Sequence, residues 1–163
     1  AMWVPFNEGW GQFDAAGAAD AIRAMDPTRT IDHASGWHDR GAGDVKSLHV
    51  YFKSVKLKAD RRAIVLSEFG GYNLRVEGHA FGARDYGYKR VKTREALMAA
   101  LERLYIREIE PAVKGGLSAA VYTQLSDVED ELNGFYTYDR RVLKVDKSFM
   151  LRLNRRLREA SPH

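Results

Sequence analysis

The run Ala63-Ile64-Val65-Leu66-Ser67-Glu68-Phe69-Gly70-Gly71 decides how the rest of the chain is read. Its first four residues are apolar and rich in β-branched side chains, the pattern of a strand buried on both faces. A carboxylate follows at once, then two glycines that let the backbone turn sharply. Burying a Glu at the end of such a strand is costly without a partner or a task. Alone, Glu68 reads more simply as the first solvated position of a loop. A second stretch of the same build gives it weight. Met2-Trp3-Val4-Pro5-Phe6-Asn7-Glu8-Gly9-Trp10-Gly11 is again an apolar run, then a Glu, then glycines.

Composition sets the frame. A chain of 163 residues suits one domain with a single core. Hydrophobic content of 45% and charged content of 29% are those of an ordinary soluble globular protein. No apolar run approaches the ~20 residues of a membrane span. Asn7 and Glu8 interrupt the apolar start, so no signal peptide is visible. Ala1 ahead of Met2 reads as a cloning remnant, which leaves the natural start and the compartment, cytoplasmic or exported, open. The absence of cysteine excludes disulfides and thiolate metal sites. The net charge is +4, with basic runs at Lys53–Arg62, Lys89–Arg94 and Arg152–Arg158. An acidic cluster (Asp127, Glu129, Asp130, Glu131) accompanies them, and no nucleic-acid recognition motif does. They read as solvated helix faces.

In chain order, residues 2–6 predict a strand with Glu8 just past its end. Asp14 caps a helix over Ala15–Met25, with Ala18, Ile22 and Met25 on one face. Asp26-Pro27 ends it. Residues 29–33 predict a second strand. A glycine-rich loop over residues 34–43 carries Trp37 and His38, either as a binding mouth or with Trp37 folded onto the core. Val45–Phe52 predicts a third strand, with Val45, Ser47, His49 and Tyr51 on one face. Ala63–Ser67 is the fourth. Tyr72–Tyr88 has no period and predicts a covering loop. Thr93 caps the strongest helix, running to about Val113 with Leu97, Leu101, Leu104 and Tyr105 inward, and Gly115-Gly116 stop it. Leu117–Thr123 is the fifth strand. Gln124–Asp139 is a polar loop turning at Asn133-Gly134. Asp146 caps a last helix with Phe149, Met150, Leu153 and Leu157 as its inner stripe. The order predicts an α/β fold of about five parallel strands with flanking helices. Two connections, over residues 34–44 and 53–62, are near the minimum length for parallel crossovers.

Two carboxylates on separate strand ends can meet only through the fold. If they meet, glycoside hydrolysis is the natural chemistry, one carboxyl protonated and the other ionised. Trp10, Trp37, Tyr51 and Tyr122 would suit stacking on sugar rings, or equally the filling of a core. Other chemistries fit less well. There is no G-x-S-x-G elbow, H-E-x-x-H pair, phosphate loop or dinucleotide fingerprint. His33 and His38 lack a third ligand nearby, so no metal or other cofactor is expected.

Phe6-Asn7-Glu8-Gly9-Trp10-Gly11-Gln12, Leu66-Ser67-Glu68-Phe69-Gly70-Gly71-Tyr72 and the run from Tyr122 to Glu131, with Asn133-Gly134 and Tyr138-Asp139-Arg140, resemble glycoside hydrolase family 2, which includes β-galactosidases and β-glucuronidases. The resemblance is to the catalytic (β/α)₈ TIM barrel from its fourth strand onward, and it covers almost the whole chain in the right order. It implies a retaining exo-β-glycosidase, of β-galactosidase type, acting on a carbohydrate substrate. Glu68 matches the nucleophile, Glu8 the acid/base and Asn7 the residue that meets the sugar 2-hydroxyl. Tyr51 matches the tyrosine near the nucleophile, and His49 stands where some members have Asn. Many members place a Trp under the sugar at the end of strand eight, where this chain has Tyr122.

The resemblance also implies that residues 1–163 are a single partial catalytic domain, the C-terminal five-eighths of a barrel. The early strands and the β-sandwich domains that precede them would lie outside it. An open sheet of this kind exposes edge strands, which favours self-association into a homo-oligomer. The chain alone is then expected to turn over little substrate. The competing readings are an inactive fragment or carbohydrate-binding remnant, and a basic partner- or nucleic-acid-binding module. Nothing in the sequence favours a membrane or nucleic-acid partner.

Overall fold

The computed structural model describes residues 1–161, and the chain is mixed α/β. It divides into two compact units. The first holds Ala1–Val50, Leu57–Glu68 and Leu117–Val121, and the second holds Tyr51–Lys56, Phe69–Gly116 and the residues from Tyr122 onward.

In the first unit, β1 (Met2–Trp3) runs parallel to β2 (Thr30–Ile31), with Met2 opposite Thr30 and Trp3 opposite Ile31. Both are shorter than the predicted strands. Pro5 has no N–H to give a ladder, so regular pairing lapses there. It resumes further along, where Ser35 N donates to Phe6 O at 2.9 Å and Glu8 N to Ser35 O at 2.7 Å. Helix α1 (Ala15–Met25) starts as predicted, with the Asp14 carboxylate accepting from Gly17 N at 3.2 Å. Its buried residues are Ala15 and Ala19, not the expected Ala18, Ile22 and Met25, and Met25 is 78% exposed. The helix is drawn in at its C-terminal end by polar contacts. Arg23 Nη2 reaches both Asp44 oxygens at 2.7 and 2.8 Å, and Trp3 Nε1 donates to Asp26 at 2.9 Å.

Strands β3 (Val45–Val50) and β4 (Ala63–Gly70) are neighbours in a three-stranded sheet, with β4 central. Ile64, Val65 and Leu66 are consecutive and all buried, as their apolar run predicts. β3 ends at Val50 and not at Phe52, because Phe52 adopts a left-handed backbone (φ 58°) that breaks the strand. Ahead of β4, Arg62 gathers Asp39, Asp60 and the Ala42 carbonyl, at 2.6–3.1 Å. These bonds hold Asp39 and Asp60 below the usual carboxylate range. The third strand of the sheet is β7 (Leu117–Thr123).

The second unit contains β5 (Tyr72–Asn73) and β6 (Lys89–Arg90), a parallel pair that closes the loop between them. The expected covering loop therefore begins with a strand. Asn73 Nδ2 donates to the carbonyls of Tyr86 and Gly87, and Arg75 Nε to Asp85 at 2.9 Å. The strong helix is present as α2 (Arg94–Leu104), a π-helical turn over Tyr105–Ile109 and α3 (Glu110–Lys114). Thr93 caps it, accepting from Ala96 N at 3.1 Å. The widened turn falls just before Pro111, which has no N–H to continue an α-helical ladder. Leu97, Leu101, Tyr105 and Ile109 are buried, and Leu104 is half-buried. Burial pushes the Tyr105 phenol up to about 12. Helix α4 (Lys147–Ala160) buries Phe149 and Leu153, with Met150 and Leu157 only half-buried. Asp146 stands at its start, but its carboxylate accepts from Arg94 Nη2 at 2.7 Å and makes no cap bond. Among the described residues, no helix is long and apolar enough to cross a membrane.

The acidic loop departs most from its sequence reading. Asp127 is 4% exposed, not solvated, and Lys144 is 1% exposed. Lys144 Nζ donates to Asp127 Oδ1 at 2.7 Å and to Leu132 O at 3.0 Å, while Gly134 N donates to the same Asp127 oxygen at 2.8 Å. Burial raises the Asp127 pKa and lowers that of Lys144, against their mutual attraction. Removing one partner strands a buried charge. Asp127→Ala is expected to cost about 3–5 kcal/mol, read from urea denaturation. A loss below about 1 kcal/mol, the range of an exposed pair, would contradict the buried pairing.

Candidate active site

Glu8, His49 and Glu68 meet in the first unit. Glu8 follows the resumed pairing, and its N–H is pinned by the Ser35 carbonyl. That bond holds Glu8 at φ 55°, a conformation that costs a non-glycine residue roughly 1–3 kcal/mol and gathers at functional sites. His49 lies one residue before the end of β3, on the same face as Ser47 by strand alternation. Its side chain is inaccessible to solvent. Its Nδ1 stands 2.9 Å from Glu8 Oε1 and 3.3 Å from Glu68 Oε2. The two carboxylates are more open, with side-chain exposures of 14% for Glu8 and 30% for Glu68. One oxygen of each and a His49 ring nitrogen all lie within 4.8 Å of one another.

The imidazole is clamped on its other side. Nε2 lies 2.9 Å from Ser35 Oγ. Ser35 Oγ donates to Ser67 Oγ at 3.1 Å, and Ser67 Oγ donates to the Leu48 carbonyl at 3.3 Å. Ser47 also bonds Ser67, and accepts from Gly36 N at 3.3 Å. Gly36 sits at φ 88°, and a Cβ there would collide with the His49 ring. Both its conformation and its lack of a side chain are therefore required. Next in the network is Asp32, 2% exposed. Burial raises its pKa, and a hydrogen bond from Ser47 opposes that rise. Among the described residues, Asp32 Oδ1 has no hydrogen-bond partner.

Of the other expected site residues, Asn7 and Trp37 lie in the first unit. Asn7 is exposed and pairs through its backbone with Ser35, and its carbonyl accepts from Trp10 N at 3.2 Å. Trp37 is 51% exposed and Trp10 78%, so neither fills a core. Tyr51 and Tyr122 belong to the second unit. Tyr51 Oη donates to Thr123 Oγ1 at 3.1 Å, and its ring meets Tyr88 edge-on. Tyr122 stacks on Phe135 with ring centroids 4.2 Å apart, and Gly70 lies against its ring. Burial pushes its phenol pKa up. Tyr122 and Phe135 are both half-buried.

His33 is buried and its Nε2 accepts from Arg40 N at 2.9 Å, while His38 is exposed. Among the described residues, the group of three donors that could hold a metal ion is Glu8, His49 and Glu68. No local pattern marks Ser35, Asp32 or Ser67 as neighbours of His49, and the sequence shows Ser47 only as a polar residue on the His49 face. Comparison with protein-family models and with curated proteins found no match for this chain.

Gly36→Ala forces a methyl against the His49 ring at a left-handed position. Overpacking of this kind costs about 1–3 kcal/mol, and the backbone strain adds to it. The expected outcome is a lower urea midpoint together with a shift of the His49 imidazole NMR signals. An unchanged midpoint with unshifted signals would mean that the ring is not clamped there.

Proposed function

We propose that the chain is the catalytic part of a retaining exo-β-glycosidase, of β-galactosidase type, with Glu68 as nucleophile and Glu8 as acid/base. The observation that carries this reading is the approach of the two carboxylates, one oxygen of each lying within 4.8 Å of the other. Retaining enzymes hold their carboxyl groups about 5–5.5 Å apart, whereas inverting enzymes need about 6.5–9.5 Å to admit a water. So close an approach of two oxygens suits the retaining arrangement, in which a carboxylate attacks.

The roles follow the resemblance of the two motifs, Asn7-Glu8 to the acid/base and Ser67-Glu68 to the nucleophile. Glu8 is the more enclosed of the two and the nearer to His49. Glu68 is more open to an incoming sugar. In the first step Glu68 attacks the anomeric carbon as the glycosidic bond breaks, and Glu8 hands its proton to the departing oxygen. In the second, Glu8 takes a proton from water, which attacks the same carbon and releases Glu68. Exposed Asn7 and Trp37 suit contact with a sugar hydroxyl and a sugar face. The same reading makes the short parallel pairs and their helices parts of a partial TIM barrel.

A second reading, a carbohydrate-binding remnant, is favoured by the exposed indoles of Trp10 and Trp37, which can stack on sugars without any hydrolysis. A panel of chromophoric β-glycosides separates the two. The hydrolase reading expects slow β-galactoside turnover by the chain, which Glu68→Gln removes. Sugar binding with no turnover that depends on Glu68 would move the assignment to the remnant. Normal rates in Glu68→Gln would remove Glu68 from the nucleophile's role.

A further inference from the structure

We propose that His79, Phe81, Tyr138 and Asp139 form a surface site for a neutral sugar ring. All four lie in the second unit, whereas Glu8, His49 and Glu68 lie in the first. Two turns carry the site. In one, His79 N donates to Val76 O at 3.1 Å, and Gly78 takes the left-handed backbone (φ 77°) that such a turn gives to glycine. Arg75 Nη1 ties down the chain that follows, donating to Gly82 O at 3.0 Å. In the other, Thr137 N donates to Val142 O at 3.0 Å and Arg140 N to Thr137 O at 2.8 Å. Val142 N returns a bond to Thr137 Oγ1 at 3.1 Å. The tips of the two turns meet twice. The Phe81 and Tyr138 ring centroids lie 5.0 Å apart, and His79 Nδ1 stands 2.8 Å from Asp139 Oδ2.

Asp139 orients the histidine. Its Oδ1 accepts from Thr137 Oγ1 at 2.7 Å and from Arg141 N at 3.1 Å. The bonds from Thr137 and His79 hold its carboxyl well below the usual carboxylate range, so it is an anion that accepts from His79 Nδ1. Nε2 is then the ring atom left to meet a ligand. On a neutral ring it accepts a proton, and on a charged ring it donates one. A hydroxyl group answers both forms. Phe81 and Tyr138 are exposed beside this pair, and such rings take apolar C–H surface from water when a ligand lies on them. A rigid C–H face edged with hydroxyls is the chemistry of a sugar ring. Asp139 opposes an anion in the same place. Arg140 and Arg141 follow it in the chain and oppose a cation, with Arg141 Nε 3.8 Å from Asp139 Oδ2. The site rests on these contacts and needs no hydrolysis.

The test is NMR of the full chain, following the His79 imidazole signals while methyl β-galactoside or methyl β-glucoside is added. At ordinary ligand efficiency a monosaccharide binds at about 1 mM, so saturable shifts are expected below about 0.1 M. Mannitol, which has the hydroxyls but no ring face, is expected to leave the signals in place. Replacing both rings, Phe81→Ala with Tyr138→Ala, is expected to abolish the glycoside shifts, with circular dichroism confirming the fold. No saturable shift with either glycoside, equal shifts with mannitol, or equal glycoside shifts in the double variant would overturn the site. Shifts with choline and none with the glycosides would assign it to a cation and overturn it too. His79 shifts in a chain that turns over no glycoside would discard the hydrolase reading and leave the sugar site standing.

Discussion

The first unit depends on one electrostatic constraint, the meeting of Glu8, Glu68 and His49 around a single nitrogen. Two carboxylates near each other raise the energy of a second negative charge, and the solvent-shielded imidazole between them allows little dielectric relief. The His49 ring nitrogen lies against both carboxylates, 2.9 Å from Glu8 and 3.3 Å from Glu68.

The surrounding structure holds that meeting in place. Ser35 works twice, its carbonyl pinning the strained Glu8 backbone and its hydroxyl bonding the far side of the His49 ring. Gly36, the next residue, makes room for the ring. Ser47 and Ser67 tie this loop to the adjacent strands β3 and β4. The glycine-rich loop after β2 is thus a support for His49. Its Trp37 remains half-exposed at the surface.

Much of the scaffold could be read from the sequence because local chemistry dictates it. Ile64–Leu66 is buried because nothing polar interrupts it, and Asp14 and Thr93 cap their helices because their side chains reach the first free N–H groups. The strand limits were harder to read. Pro5 cuts one pairing, and the left-handed turn at Phe52 cuts another strand before Tyr51. Asp146 looked like a cap, but a guanidinium more than 50 residues earlier in the chain takes its carboxylate. The buried Asp127–Lys144 pair was equally out of reach, since only tertiary packing removes both charges from water. The site divides in the same way. Glu8 and Glu68 stood out as carboxylates closing apolar strands, and His49 as a polar residue on an inward face. The serine contacts span 14 and 32 residues, and no local pattern announces them. Tyr122, by contrast, carries the composition of a sugar platform but is packed against Phe135.

The central claim is that Glu68 is the nucleophile and Glu8 the proton donor beside it. Trapping with a β-galactosyl fluoride that carries a second fluorine next to the anomeric carbon, followed by peptide mass spectrometry, tests it most directly. The account predicts a glycosyl ester on Glu68 alone. A label on Glu8 or any other residue, or turnover of the reagent with no label on the protein, would contradict it.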